Sequence, residues 1–146
     1  MIGAMIYIRK ADFDDDLADI RKLRFAVFVI EQGVPENIEI DDRDPACVHV
    51  LAFDGEEPVG TGRIDLEKQG KVGRVAVIAT RRRCGIGEAL MQELHNIAEQ
   101  SGLGNTWCHV QTSAIEFYRR LGYETVGDRF MEADIEHVRM EKAFDF

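Results

Sequence analysis

Cysteine, proline and long apolar runs are scarce or absent in this sequence. It has three cysteines and three prolines among 146 residues, and no C-x-x-C pair occurs. Few, widely spaced cysteines argue against a disulfide framework and a zinc site, and free thiols suit a reducing compartment. No apolar stretch approaches the roughly 18 residues that cross a bilayer, and the N-terminal residues lack the pattern of a signal peptide. We therefore expect a cytoplasmic protein without a metal site.

The chain is strongly acidic, with one local exception. Its formal net charge is −9, from 27 acidic and 18 basic residues. A field of that sign repels nucleic acids and anionic membranes and favours cationic substrates, so we expect neither nucleic acid nor membrane as a partner. Four arginines nevertheless lie close together: Arg74, Arg81, Arg82 and Arg83. They predict a local positive patch, and the lack of interleaved aromatic residues argues against a nucleic-acid surface there.

Hydrophobic periodicity predicts the order of secondary-structure elements. Alternating or β-branched segments predict strands at residues 5–9, 47–53, 58–66, 71–79, 106–110, 123–128 and 137–143. Apolar residues spaced three or four apart predict helices at residues 17–31 and 85–100, and a third helix from residue 113 to Gly122. With no linker or repeat, residues 1–146 are expected to form a single domain, an α/β fold with a mixed sheet.

Two of these helices begin with residues that suit a helix N-terminus. Aspartates within residues 12–16 offer side-chain oxygens and negative charge to the first helix. Ser113 and Glu116 have the S-x-x-E spacing of a capping box, which predicts the start of the third helix. An acidic loop at residues 36–46 separates the first helix from the second predicted strand.

The most informative stretch is a strand–loop–helix segment at residues 75–87, VAVIATRRRCGIG. Unpaired N–H groups and the helix dipole make the start of the following helix favourable for an anion such as a pyrophosphate. Gly85 and Gly87 allow the backbone to approach phosphates, and Arg82 and Arg83 can add charge-assisted contacts. The spacing fits neither a P-loop nor a dinucleotide-binding fingerprint. The simpler alternative is a surface arginine cluster before a helix that begins with glycine.

This segment resembles the coenzyme A signature of the GNAT superfamily of N-acetyltransferases, R/Q-x-x-G-x-G/A at the start of a helix. The matching residues are Arg82, Arg83, Cys84, Gly85, Ile86 and Gly87. Cys84 occupies a position where glycine is common in the family, and its thiol is small enough to fit. A second landmark of the family, A-x-x-F-Y-x-x-x-G-F, is matched at residues 114–123. Two independent landmarks are far more specific than either one alone.

Finer resemblance points to the ElaA-like or YjcF-like branch of the superfamily. It rests on residues 23–32, on the acidic loop through Asp44, and on residues 130–137. The resemblance implies an acyl-CoA N-acyltransferase fold, with a mixed, mostly antiparallel sheet flanked by helices. It implies acetyl-CoA as co-substrate and a primary amine of a small molecule or peptide as acceptor. Exposed edge strands in this fold often pair in dimers, so a homodimer is a further expectation by analogy.

The resemblance also implies roles along a cleft. The backbone of Val75, Ala76 and Val77 would pair with the pantetheine arm, where the sheet opens between this strand and residues 108–110. A backbone N–H near Val77 would donate to the thioester carbonyl as negative charge develops there. Tyr118 would protonate the departing thiolate, with help from position or field because a phenol has a pKa of about 10. The alternative for Tyr118 is a structural tyrosine whose hydroxyl is hydrogen-bonded.

The residue that removes a proton from the amine is left open by the sequence. An alkylamine with a pKa of about 10.4 is almost wholly protonated at neutral pH and must lose a proton before it attacks. The candidates are Glu31, Asp41, Asp42, His109 and His137. We predict Glu31 and Asp42 as catalytic because the resemblance places them on the acceptor side, where a carboxylate could also hold a cationic amine.

Two functions stay open at this point. The first is an acetyl-CoA-dependent N-acetyltransferase in which the amine attacks the thioester directly. The second is a CoA-binding regulatory or interaction module of the same fold without turnover. The presence of Tyr118 favours the first. Trp107 is expected in the core rather than on a stacking surface.

Overall fold

Seven strands form one mixed sheet in the computed structural model, which describes residues 5–144 except the side chains of residues 38 and 39. The strands are β1 (Ile6–Ala11), β2 (Val48–Asp54), β3 (Glu57–Asp65), β4 (Lys71–Val77), β5 (Asn105–Gln111), β6 (Glu124–Glu132) and β7 (Ile135–Ala143). Their order across the sheet is β1-β2-β3-β4-β5-β7-β6. Neighbouring strands are antiparallel except β4 and β5, which are parallel. The predicted mixed, mostly antiparallel sheet is confirmed.

Helices cover both faces of this sheet. They are α1 (Leu17–Arg24), α2 (Glu36–Glu39), α3 (Ile86–Gln100) and α4 (Ile115–Arg120). Along β2, Leu51 belongs to the same buried cluster as Ile20 of α1, whereas Val50 belongs to that of Leu90 of α3. Because successive side chains of a strand point to opposite faces, α1 and α3 lie on opposite sides of the sheet. None of the helices in the described part of the chain is long and apolar enough to cross a membrane.

The first predicted helix, residues 17–31, changes its hydrogen bonding halfway. α1 ends at Arg24, and a π-helical segment, Phe25–Glu31, continues it. The spacing of apolar residues does not report whether an amide bonds four or five residues back, so periodicity predicts one uniform helix. π-helical turns are frequent at functional sites, and this one carries Phe28 to the wall of the cleft described below.

The two predicted helix starts have different outcomes. Asp12 caps only the turn before α1, since its Oδ1 accepts hydrogen bonds at 3.0 Å from the N–H groups two and three residues ahead. The N-cap of α1 itself is Asp16, whose side chain forms no cap hydrogen bond, so the predicted side-chain capping of this helix is not found. The predicted capping box is wrong. Ser113 lies in a 3₁₀ turn, Thr112–Ala114, so the N-cap position of α4 falls on Ala114, which has no side-chain oxygen. Glu116 instead accepts a hydrogen bond from an arginine of the next helical turn at 2.9 Å.

Helix α3 lies unusually close to β3. A Cβ at Gly60 would be 3.0 Å from Leu90 Cδ1 and 3.2 Å from Ala76 O, so a side chain at this position would push the helix away from the sheet. Packing in protein interiors is dense enough that such a shift would propagate along the helix. Gly60 therefore helps to place the start of α3 beside the end of β4.

Candidate active site

Strands β4 and β5 separate shortly after they meet. Among the described residues, their pairing consists of Lys71 with Trp107 and Val72 with Cys108, after which the strands diverge. A cleft of about 670 Å³ lies in this opening, lined by residues of β4, β5, β7 and the segment between α1 and β2. The predicted opening of the sheet beside residues 108–110 is therefore present.

A bulge in β4 shapes the strand where it borders the cleft. Arg74 and Val75 lie opposite the single residue Gly62 of β3, and Arg74 adopts a left-handed backbone conformation with φ 52°. Such a bulge bends a strand and redirects its side chains. The Arg74 side chain reaches the cleft, where its Nη2 is 3.2 Å from Asp41 Oδ2.

The backbone of β4 has an open edge at its end, on the side away from β3 and next to the residues that line the cleft. The N–H of Ile78 donates to Val59 O at 3.0 Å, on the β3 side. Because alternate residues of a strand direct their amides to opposite edges, the N–H and C=O of Val77 face away from β3. The carbonyl of Val77 accepts a hydrogen bond from Arg82 Nε at 2.9 Å, which agrees with this orientation. The N–H of Val77 thus has no acceptor on β3, and its role toward a thioester stays a prediction.

The turn between β4 and α3 exposes backbone N–H groups. It contains a 3₁₀ turn, Ala79–Arg81, followed by left-handed conformations at Arg83 (φ 62°) and Gly85 (φ 81°). Helix α3 begins at Ile86 with no side-chain cap, so the amides of its first turn have no helical acceptor. Arg83 and Cys84 are exposed, and their side chains lie next to these amides in the sequence. This turn can receive an anion through its backbone and through Arg83.

The predicted positive patch is largely neutralised by ion pairs. Arg81 Nε is 3.0 Å from Asp54 Oδ2. Arg82 forms a two-pronged ion pair with Glu31, with nitrogen–oxygen distances of 2.7 and 2.8 Å. These hydrogen bonds from Arg82 lower the pKa of the Glu31 carboxyl. A carboxylate held in this way is a weak base. In the structure Glu31 positions the guanidinium group of Arg82.

Tyr118 lies on α4 and lines the cleft. Its ring packs edge-to-face against Phe117 and Tyr123, with ring centroids 5.1 and 5.5 Å away. A Cβ at Gly87 would be 3.1 Å from Phe117 Cζ, so the lack of a side chain at Gly87 lets α4 pack on the first turn of α3. Burial raises the pKa of the Tyr118 hydroxyl, and none of the described residues forms a hydrogen bond with it. The hydroxyl therefore keeps its proton at neutral pH, and no described residue holds it as a structural hydrogen-bond partner.

A buried network of ion pairs anchors the acidic loop to the sheet. Arg24 and Asp44 are both 0% exposed, and two guanidinium N–H groups donate to the carboxylate at 2.9 and 3.0 Å. Arg63 Nη1 lies 2.7 Å from oxygens of both Asp44 and Asp41. Burial opposes ionisation of Asp44, but the hydrogen bonds and charge of Arg24 outweigh it and leave the pKa of Asp44 well below its usual range. The network connects α1, the acidic loop and β3 into one wall of the cleft.

The five candidate bases differ in whether they line the cleft. The residues that line the cleft include Asp41, His109 and His137 but neither Glu31 nor Asp42. Asp42 is exposed to solvent. Asp41 is occupied by the guanidinium groups of the buried network, and His137 Nδ1 is 2.7 Å from the carbonyl oxygen of Ile135. His109 is the candidate whose surroundings best fit a base.

His109 is held in the cleft wall by a carboxylate and two aromatic rings. Its Nδ1 is 3.0 Å from Glu132 Oε1, and its ring contacts Trp107 and Phe130 edge-to-face at 5.4 and 4.8 Å. The hydrogen bond from His109 lowers the pKa of Glu132, so this carboxylate is ionised. No hydrogen bond to His109 Nε2 is formed by the described residues. One imidazole nitrogen is oriented by a carboxylate, and the other is available to a substrate.

Comparison with known proteins identifies the family. Residues 16–144 match the family model described as an acetyltransferase (GNAT) domain. The chain belongs to the GNAT acetyltransferases. Both the family and the fold inferred from the sequence are thereby confirmed.

The GNAT chain also resembles individual members of the two branches named above. It is 35% identical over 131 residues to the uncharacterized N-acetyltransferase YjcF of Bacillus subtilis (strain 168), covering 88% of this chain and 94% of YjcF. It superimposes on the crystal structure of Escherichia coli ElaA with a TM-score of 0.84 and 25% identity, covering 94% of this chain and 99% of ElaA. The PaiA N-acetyltransferase of Thermoplasma acidophilum, solved in complex with coenzyme A, shares the fold at a TM-score of 0.77 and 15% identity, covering 95% of this chain and 99% of PaiA.

Several residues that line the cleft of this GNAT protein are not predicted as site residues from the sequence. They include Arg63, Lys71, Trp107 and Glu132. The expected core position of Trp107 is wrong: its ring lies in the cleft wall, with Lys71 Nζ 5.2 Å and Arg139 Cζ 4.0 Å from its centroid. Trp107 and Lys71 are partners in the short parallel pairing of β4 and β5, and no local pattern in either strand reports that pairing.

Proposed function

We propose that this GNAT protein transfers an acetyl group from acetyl-CoA to a primary amine of a small molecule or peptide. The observation that carries the proposal is one continuous segment beside the cleft. In it the open edge of β4 is followed by the uncapped turn before α3, and Tyr118 lines the adjoining cleft. Family membership supports acetyl transfer, and the PaiA complex supports coenzyme A as the carrier.

The residues of this chain fit acetyl-CoA. The proposed binding residues are Val75, Ala76, Val77, Arg82, Arg83, Cys84, Gly85, Ile86 and Gly87, with Tyr118 beside the thioester. Ala76 and Ile86 have buried side chains, so each would bind through its backbone. Arg83 forms no ion pair with a described residue, whereas Arg82 is held by Glu31, so Arg83 is the readier partner for a diphosphate. When bound, acetyl-CoA supplies an acyl group activated as a thioester.

Three groups of the chain would then act around the reacting atoms. The N–H of Val77 points away from β3 and would stabilise negative charge on the carbonyl oxygen. The Tyr118 hydroxyl keeps its proton at neutral pH and would offer it to the leaving sulfur. His109, oriented by Glu132, would accept the proton that the amine must lose through Nε2. We assign this last role to His109 rather than to Glu31 or Asp42, neither of which lines the cleft.

Acetyl-CoA is expected to raise the melting temperature of the protein, and primary amines are expected to release free CoA from it. At about 100 times its dissociation constant a ligand stabilises the folded state by about 2.7 kcal/mol, which a thermal shift detects. Thiol release across a panel of amines then measures turnover. Stabilisation without thiol release on any amine would favour the alternative, a CoA-binding module. The absence of both would remove the proposed function.

Replacing His109 with glutamine is expected to lower kcat/KM for an alkylamine by about 10²–10⁴-fold, the usual contribution of a general base. The loss should be much smaller for methoxyamine, which is already neutral at neutral pH and needs no base. Steady-state kinetics with both amines makes the comparison. Glu31→Gln tests the rival carboxylate, and it should alter acetyl-CoA affinity through Arg82 rather than the difference between the two amines. An equal loss for both amines in His109→Gln would show that His109 is not the base.

A further inference from the structure

The cleft carries more positive than negative side chains, although the chain as a whole is acidic. Five cationic and three acidic side chains are among the described residues that line it. They are Arg43, Arg63, Lys68, Lys71 and Arg74 against Asp41, Asp65 and Glu132. The guanidinium groups of Arg43 and Arg63 are already committed to carboxylates at 2.7 Å. The lysine at the start of β4 is not committed in this way.

Lys71 is a half-buried ammonium with an aromatic contact but no carboxylate partner. Its Nζ lies 5.2 Å from the centroid of the Trp107 ring, and no carboxylate of the described residues is within ion-pair distance of it. Burial is the main reason that the pKa of Lys71 lies below its usual value. A desolvated cation is costly unless an anion joins it, so this position favours the binding of an anion.

The Trp107 ring keeps Lys71 in a defined place. The indole Nε1–H donates to Lys68 O at 2.9 Å, and Arg139 lies over the ring at 4.0 Å. The same ring contacts His109 edge-to-face at 5.4 Å. The proposed base and the unpaired ammonium therefore contact the same ring, and both line the cleft, which places them near each other along its wall.

We propose that the acceptor is an amine that also carries a carboxylate, of the amino-acid class, and that Lys71 binds this carboxylate. The inference rests on the proposed acetyl transfer, because that function places the amine beside His109. The ammonium of Lys71 carries one positive charge, and the guanidinium groups of Arg43 and Arg63 are engaged by carboxylates, so this position suits the single negative charge of a carboxylate better than a phosphate dianion. The cation–π contact with Trp107 holds the ammonium without neutralising it.

The test compares amines with and without the carboxylate, in wild type and in Lys71→Met. Each rate is corrected for the fraction of neutral amine, because the carboxylate and the amide change the pKa of the amino group. Suitable sets are alanine, alaninamide and ethylamine; phenylalanine, phenylalaninamide and phenethylamine; and lysine, lysinamide and 1,5-diaminopentane. Methionine keeps an unbranched apolar stem of nearly the length of Lys71 and removes its charged end. Lys22→Met, at an exposed position on α1, is the matched control.

Wild type is expected to prefer the carboxylate member of at least one set by about tenfold to a hundredfold in kcat/KM, the usual range for a charged hydrogen bond. Lys71→Met should abolish this preference and leave the rate on the uncharged members unchanged. Amides or plain amines that react as well as the acids in wild type would overturn the inference. An equal loss of kcat/KM on all members of a set in Lys71→Met would also overturn the inference, because it would indicate that Lys71 acts as a base or as a structural residue.

A binding measurement separates the failure of this inference from the failure of acetyl transfer. Calorimetry with CoA-loaded protein compares each N-acetyl amino acid with its N-acetyl amide, and it needs no turnover. Tighter binding of the acids that disappears in Lys71→Met supports the carboxylate site even if no amine is acetylated. Turnover of amines without any Lys71-dependent preference keeps the proposed function and removes the carboxylate site. Equal binding of acids and amides, or no binding of either, also removes it.

Discussion

Replacing Tyr118 with phenylalanine is expected to lower kcat by about 10²–10⁴-fold, while the dissociation constant of acetyl-CoA changes little. Phenylalanine keeps the edge-to-face contacts of the ring with Phe117 and Tyr123 and removes only the hydroxyl. Tyr118 lines the cleft, and its hydroxyl has no hydrogen-bond partner among the described residues, so removing the hydroxyl leaves no buried group unsatisfied. The effect should therefore fall on turnover and not on stability.

Tyr123→Phe is the matched control for this substitution. The Tyr123 hydroxyl is 2.7 Å from His95 Nε2 and 2.8 Å from Thr106 Oγ1, inside the core. Its loss should reduce the free energy of unfolding by about 1–3 kcal/mol, since two buried partners lose a hydrogen bond. The kcat of Tyr123→Phe should stay near that of wild type.

Steady-state kinetics with acetyl-CoA, isothermal titration and urea denaturation separate the two variants. The expected pattern is a loss of turnover in one tyrosine variant and a loss of stability in the other. A Tyr118→Phe enzyme that keeps its kcat would remove the acid role from Tyr118. A large loss of acetyl-CoA affinity in this variant would instead indicate that the hydroxyl binds the co-substrate.

Elements with a strong local pattern are predictable from the sequence. The predicted strand at residues 71–79 and the helix at residues 85–100 correspond to Lys71–Val77 and Ile86–Gln100. Each of these elements has a clear hydrophobic period and a defined end. The turn between them is the segment that resembles the coenzyme A signature of the family. The change from α- to π-helical bonding within residues 17–31 does not follow from the apolar spacing, which does not report how far back an amide bonds. Ile30, which the α-helical period places on the buried face, is exposed.

The partners of charged side chains are not predictable in this way. Arg82 and Glu31 are 51 positions apart in the sequence, so neither the neutralisation of the arginine turn nor the engagement of Glu31 follows from a local pattern. The acidic loop illustrates the same limit at short range. Asp41 and Asp44 form ion pairs with arginines, whereas Asp42 between them is exposed. Only the tertiary fold determines which of these carboxylates is paired and which is exposed to solvent.

Replacing Asp44 with asparagine is expected to lower the free energy of unfolding by about 3–5 kcal/mol, the usual cost of breaking a buried ion pair from one side. Asp44 is 0% exposed and receives two hydrogen bonds from Arg24, one from Arg63 and one from the N–H of Asp41. Asparagine is neutral and has one fewer acceptor oxygen. The buried guanidinium of Arg24 would then face no compensating charge at this position.

Asp42→Asn, at the exposed neighbouring position, is the control for this prediction. The direction in which stability changes with pH is a second test of it. Asp42→Asn should leave the urea midpoint almost unchanged, because substitutions at exposed positions usually change stability by about 0.5 kcal/mol or less. The folded pKa of Asp44 lies below its unfolded value of about 3.9, so its stabilising contribution is present above that pH and is lost as the pH falls. The difference in stability between wild type and Asp44→Asn should therefore be largest near neutral pH and shrink on acidification below about pH 4. A difference that is small at neutral pH, or that grows in acid, would mean that the network around Asp44 does not hold the acidic loop against the sheet. This wall of the cleft would then be stabilised by packing alone.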